Sequence, residues 1–357
     1  GSTLAAENPQ NQKAAHASFI GRARVYITLV GIFAVIAATF LIMQPFRAPS
    51  AAHAAGSVGF HINGRSLLDS NGNNFVIRSI SHPFTWYLGQ NSSFGNIKAA
   101  GANTVRVVMN GSTSYGSVQT AVSQCKNNKL VCVVEDHDTT GYNGSGYSGS
   151  LAQAASFWQG VQGALTGQEN WVIINIGNEA WSNTNTYNWV SATKNAISSM
   201  RNAGFKHTLM VDAPGWGQDS DRTMLYNASS IEAADPMHNT IFSVHMYGVY
   251  ASGSTVDSYI SSFYNTGMPL VIGEFGATQS GQALSDDANQ IMADAQSRGI
   301  GYMGWSWSGN DAANAYLDMT INFNPGQLTN WGNRVVYGTN GLKQTSRECS
   351  CYGGSSG

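Results

Sequence analysis

Ile173-Ile174-Asn175-Ile176-Gly177-Asn178-Glu179 is a short β-branched run that ends in an amide and a carboxylate. Residues of that kind suit a strand, and a run apolar on both faces suits a strand covered on both. Its polar groups gather at the C-terminal end. The same pattern recurs in both directions along the chain. Leu270-Val271-Ile272-Gly273-Glu274-Phe275-Gly276 ends in Glu274, and Thr104-Val105-Arg106-Val107-Val108 carries Arg106. Such runs predict eight strands, at 75–81, 104–109, 130–135, 171–176, 208–212, 241–245, 270–273 and 301–306. Their C-terminal ends fall 24 to 42 residues apart, the length of a βαβ unit. Helix-compatible segments fill the gaps, so the chain reads as an α/β protein, a (β/α)8 TIM barrel.

No linker of Gly, Pro and Ser breaks the series, and residues 57–345 read as one domain. A short hairpin, signalled by Ile62-Asn63-Gly64 and Asn71-Gly72, precedes it and is placed to plug the barrel bottom. In the helix expected between the seventh and eighth strands, Ser285 reads as the N-cap, with Asp286 and Asp287 in the first turn and Gly299 as the stop. Capping accounts for that acidic pair without a metal. Residues 346–357 form a C-terminal tail, in the manner of a linker cut short, and its end at 352–357 reads as flexible.

The chain has 357 residues, 42% of them hydrophobic and only 11% charged, with a formal net charge of -2. Nothing in that balance supplies the cationic surface that nucleic acid demands. With 40 Gly, 9 Trp and 15 Tyr, it suits many loops and aromatic platforms for neutral ligands. Residues 1–54 read as an N-terminal extension and signal peptide, with an apolar region at 25–43 behind Arg22 and Arg24 and a small-residue cleavage pattern at Ala52-His53-Ala54. The apolar run also has the length of a membrane anchor, but its flanks favour cleavage. The mature protein is then expected to be secreted, monomeric and free of the membrane. Four cysteines, Cys125, Cys132, Cys349 and Cys351, lack zinc-site spacing; Cys125 with Cys132 is the plausible local bridge, joining a helix to the next strand.

In a barrel of this kind the functional groups collect at the C-terminal strand ends. Glu179 ends the fourth predicted strand and Glu274 the seventh, so the two face each other across the mouth. Hydrolysis of a glycosidic bond with retention needs two carboxyls about 5–5.5 Å apart, one to protonate the leaving oxygen and one to attack the anomeric carbon. Asn178 is placed to bind a sugar 2-hydroxyl, Arg106 and Tyr247 to hold Glu274 ionised, and Trp305 to offer a flat face to a pyranose. Trp86 and Trp216 are the other strand-end aromatics assigned to sugar. Trp216, in Gly215-Trp216-Gly217, is expected to lie unshielded. His53 and His207 read as incidental surface residues. No cofactor and no metal are expected.

Seven motifs in order resemble glycoside hydrolase family 5, and within it the bacterial endo-β-1,4-mannanases. They are His82-Pro83-Phe84-Thr85-Trp86-Tyr87, Glu135-Asp136-His137-Asp138-Thr139-Thr140-Gly141-Tyr142, Gly177-Asn178-Glu179, Val211 through Asp219, Ser243-Val244-His245-Met246-Tyr247, Ile272 through Gly276 and Gly304 through Asn310. The resemblance implies Glu179 as general acid/base and Glu274 as nucleophile. It implies that Arg106, His137, Asn178, His245, Tyr247 and Trp305 surround the reacting sugar, with Trp216, Trp86 and His82 also toward substrate. Phe84 and Asp136 depart from the family pattern, which expects a polar and an aliphatic residue there, and Trp181 falls at a variable position. The function so implied is a secreted retaining endo-β-1,4-mannanase acting on β-mannan. An endo-β-1,4-glucanase using the same carboxylates, and a non-catalytic carbohydrate-binding barrel, are the alternatives; the second predicts loss of a carboxylate, and both are present.

Overall fold

The computed structural model describes residues 59–144, 146, 148–277 and 286–353, so the signal-peptide reading, His53 and the Ser285 cap lie outside the described residues. The chain begins with an antiparallel hairpin, β1 (His61–Asn63) and β2 (Ser66–Leu68). Eight parallel strands follow: β3 (Arg78–His82), β4 (Thr104–Met109), β5 (Val131–Asp136), β6 (Val172–Asn175), β7 (Leu209–Asp212), β8 (Thr240–Met246), β9 (Leu270–Phe275) and β10 (Gly301–Gly304). They close in chain order, with β10 pairing both β9 and β3. All eight predicted strands are present, and Glu179 and Glu274 follow or end the fourth and seventh barrel strands, β6 and β9.

Alternation sorts the side chains. On the inside, Val133, Ile173, Met210, Ile241, Val271 and Met303 fill the lower barrel. Phe60, Leu67 and Phe75 join this cluster, with the Phe60 and Phe75 rings 5.4 Å apart. The hairpin region therefore seals the bottom, as its position predicts. The Phe60 carbonyl accepts from Asn239 Nδ2 at 2.9 Å, and its N–H donates to the Glu169 carbonyl at 3.1 Å. Outside, apolar helix faces pack on the strands, and two buried indoles fasten the fourth and fifth units. Trp158 Nε1 donates to the Ile176 carbonyl at 2.9 Å and Trp189 Nε1 to the Asp212 carbonyl at 3.0 Å. Among the described residues, no helix is long and apolar enough to cross a membrane.

Two expectations need correction, and one element was not foreseen. The tail does not leave the domain at residue 346: Tyr352 OH donates to the Leu130 carbonyl at 2.7 Å, Asn103 Nδ2 donates to the Arg347 carbonyl, and Cys349 is buried in the bottom cluster. Its polar composition hid these contacts, which are made by a few spaced residues. His207 is buried, with Nε2 2.8 Å from the Leu165 carbonyl, because it lies just before β7 where the helical layer closes over the strand. A second hairpin, β11 (Thr320–Ile321) and β12 (Asn324–Leu328), is inserted after β10 and was not expected. The Cys125–Cys132 bridge is present as expected, and Cys349 pairs with Cys351.

Candidate active site

The upper half of the barrel is polar because the inward positions change character along each strand. Above Val133 come Glu135 and His137, above Ile173 comes Asn175, and above Met210 comes Asp212. On β4 the inward polar residue is Arg106, paired in register with Val133. On β8 the inward series runs Ser243, His245, and then Tyr247 beyond the strand end. On β9 the register slips by one residue, so that His245 lies opposite Glu274 instead of Gly273. The slip turns Glu274 into the mouth. Gly273 suits it, since a methyl there would overlap Ser243 Oγ and come within 3.0 Å of His245 Nε2.

The buried Arg106 guanidinium organises the group. Its Nη1 donates to Glu274 Oε2 at 2.8 Å, and its Nη2 to Asn178 Oδ1 at 2.8 Å and Asn175 Oδ1 at 3.2 Å. Tyr247 OH donates to the other oxygen of Glu274, Oε1, at 2.8 Å. Both carboxylate oxygens of Glu274 are thus held. Glu179 adopts the left-handed conformation, φ +43°, just past β6. That strained backbone is pinned by its N–H donating to Asp212 Oδ2 at 3.0 Å and its carbonyl accepting from the Gly141 N–H at 2.8 Å. Its Oε2 lies 2.8 Å from His245 Nδ1.

His245 links the two carboxylates, with Nδ1 3.5 Å from Glu274 Oε2 and Nε2 3.2 Å from Asp212 Oδ2. Burial alone would lower its pKa, but Glu274, Asp212 and Glu179 outweigh burial and raise it to about 9. Burial would conversely raise the Asp212 carboxyl; His245, Arg106 and the Glu179 N–H reverse that and hold it below its usual range. Single oxygens of Glu179 and Glu274 and a ring nitrogen of His245 all lie within 4.8 Å of one another. The cleft wall is aromatic: the His137 ring stacks on Trp305 at 5.8 Å and 21°, and Trp86, 44% exposed, meets its edge at 5.4 Å.

The structure therefore brings together Glu179, Glu274, Arg106, His137, Asn178, His245, Tyr247, Trp305 and Trp86. It does not bring in His82. That residue shares its parity with Ile80, not with the inward Ser81, and its ring sits among Phe84, Phe94 and Phe323. Burial there lowers its pKa to about 4. Phe84 belongs to the same outer cluster, so its departure from the family pattern lies away from the cleft. Trp216 is not unshielded either: it is only 6% exposed, and its ring lies against Gly141, whose missing side chain makes room for it. The flanking glycines leave the indole bare in sequence, but the loop after β5 covers it. Trp181 is buried with Nε1 on the Thr184 carbonyl at 2.8 Å. Asp136 points outward, accepts from the Asp138 N–H at 3.0 Å, and is pushed up to about 7 by burial.

Three residues of the site were not singled out from sequence: Asn175, Asp212 and Glu135. Each was signalled by parity. Asn175 and Glu135 sit two places before Gly177 and His137 on the inward face, and Asp212 ends an apolar strand.

The sequence model of the Cellulase family, glycosyl hydrolase family 5, matches residues 68–311. The chain belongs to glycosyl hydrolase family 5. The mannan endo-1,4-beta-mannosidase of Streptomyces lividans is 48% identical over 338 residues, covering 93% of this chain and 87% of its own. That of Cellvibrio japonicus is 46% identical, covering 84% of this chain and 71% of its own. Among solved structures, the mannohexaose complex of the Thermomonospora fusca beta-mannanase is similar with a TM-score of 0.79 at 44% identity, over 83% of this chain and 99% of that one.

Proposed function

We propose that this glycoside hydrolase is a secreted, monomeric endo-β-1,4-mannanase that cleaves internal linkages of mannan by double displacement. The observation that carries the chemistry is the approach of Glu179 and Glu274 oxygens to within 4.8 Å, a separation that suits retention and leaves no room for the intervening water of inversion. The substrate is supported by the mannan-directed relatives, at identities up to 48% over most of the chain.

Glu274, held by Arg106 and Tyr247, attacks the anomeric carbon while Glu179 gives its proton to the leaving oxygen. The C–O bond breaks, and a glycosyl ester forms on Glu274. Glu179, now a carboxylate, takes a proton from water, whose oxygen displaces Glu274. Two inversions give net retention. Asn178 is oriented toward the reacting sugar by Arg106 and by its own Nδ2, which donates to Thr140 Oγ1 at 2.8 Å. Trp305 and Trp86 supply apolar faces to pyranose rings. The test is reducing-sugar release from soluble mannan measured beside carboxymethylcellulose and xylan. Mannan is expected to be the preferred substrate, and preference for carboxymethylcellulose would replace this reading with a glucanase.

A further inference from the structure

We propose that Glu135 is a positioning residue, fixing His137 so that its Nε2 is presented to a hydroxyl of the bound sugar. The inference rests on reading the cleft as a sugar site. Glu135 is fully buried, on the inward face of β5, and its Oε1 lies 2.8 Å from His137 Nδ1. The ring cannot turn away, since Trp305 stacks on one face and Trp86 stands against its edge. Nε2 is buried and, among the described residues, has no hydrogen-bond partner. A buried polar atom of that kind needs a partner, and here a ligand hydroxyl between the two indoles supplies it. A carboxylate on Nδ1 keeps that nitrogen a donor and fixes the ring's orientation, in the way outer partners orient metal-bound imidazoles.

The groups facing His137 are Glu135 on β5, Glu274 on β9 and Arg106 on β4, with Asp136 and Asp138 beside it in the chain. Burial would lower its pKa; Glu135 and, farther off, Glu274 overcome burial and the opposing Arg106, so the ring is held above its ordinary range. A protonated ring offers Nε2–H as a donor. Without the Glu135 charge the balance shifts toward burial and Arg106, with only the weaker Glu274 opposing, so the ring loses that proton at a lower pH than in the parent.

The test is Glu135→Gln in the full chain, with kinetics on a soluble β-1,4-manno-oligosaccharide. A contact shared by ground and transition states moves KM and spares kcat, so KM is expected to rise about tenfold on the alkaline side with kcat within about twofold. The KM gap should narrow as pH falls and the variant's ring regains its proton. His137→Ala should raise KM at both pH values, and adding Glu135→Gln to it should change nothing further. An unchanged KM for Glu135→Gln, or full additivity with His137→Ala, would overturn the proposal. So would a fall in Tm and kcat with no pH-dependent change in KM.

Should Glu135→Gln fail to fold, Glu135→Asp keeps the charge and shortens the reach; it is expected to keep the parent's pH profile with a raised KM. Nitrogen-15 NMR of the parent, with the His137 signals assigned by their loss in His137→Ala, gives a reading independent of substrate. The ring is expected to titrate above the range of an ordinary histidine, and a ring that titrates at or below that range would sink the idea. Failure of the mannanase reading looks different: the parent itself would be inactive on mannan, while the NMR result would stand.

Discussion

At the scale of single residues, the two carboxylates have separable roles. Glu274→Ala and Glu179→Ala should both lose activity on polymer, the second by about 10²–10⁴-fold, the usual worth of a general acid/base. An aryl glycoside with a good leaving group needs little protonation, so the Glu179 variant should still form the glycosyl-enzyme and be rescued by azide with retained configuration. The Glu274 variant should not. Equal loss on both substrates with no azide product would reverse or remove the assignments. Proton NMR in the first minutes should show the β-anomer as the first product, and an α-anomer would mean direct attack by water. His245 adds a pH dependence of another kind. Its folded pKa of about 9 stands above the ordinary 6.5, so its stabilisation is complete below about pH 6.5 and disappears as pH rises through 9. The Tm advantage of the parent over His245→Asn should shrink across that window; a constant advantage up to pH 10 would contradict the cationic His245.

At the scale of elements, the slip between β8 and β9 is what turns Glu274 into the site. Gly273→Ala should push His245 away from Glu179 and cut kcat/KM by about a hundredfold, the cost of roughly 1 Å of misplacement, with the far-UV circular dichroism unchanged. Parent-like activity would show that the strand absorbs the methyl. Trp216→Ala removes a ring packed between the loops after β5 and β7, and should cost about 3–5 kcal/mol, read as a clear drop in Tm. A parent-like Tm with a raised KM would restore the ring to substrate binding. These two residues also show how far the sequence speaks. The strands were legible because each is a β-branched run ending in a polar group, and Glu179 and Glu274 because they end two such runs. Parity separates Ser81 from His82 on β3, and following it strictly would have excluded His82 and found Glu135 and Asn175. Trp216 was not legible, because the loop that covers it comes from about 75 residues earlier in the chain. Nothing local announces that contact.

At the scale of the whole molecule, the closed bottom is as much a part of the design as the open mouth. Phe60 is fully buried beneath the barrel's lowest layer. Phe60→Ala should destabilise by about 3–5 kcal/mol while leaving KM near the parent value, since it lies at the opposite end from the carboxylates. A KM change without loss of Tm would mean that the two ends are coupled. The hairpin's role was legible from its place ahead of the first strand, but that of residues 346–353 was not, because a few contacts from Arg347, Cys349 and Tyr352 do the work that an apolar run would have advertised. One practical outcome follows from where the described chain enters and leaves. Phe60 and Tyr352, next to the two ends of the described chain, both pack with the bottom cluster, behind the mouth. A tether joined at either point holds the molecule with its cleft facing outward, so protein immobilised on a bead through its C-terminus is expected to keep its solution kcat on soluble mannan, whereas attachment through the exposed Trp86 rim should obstruct it.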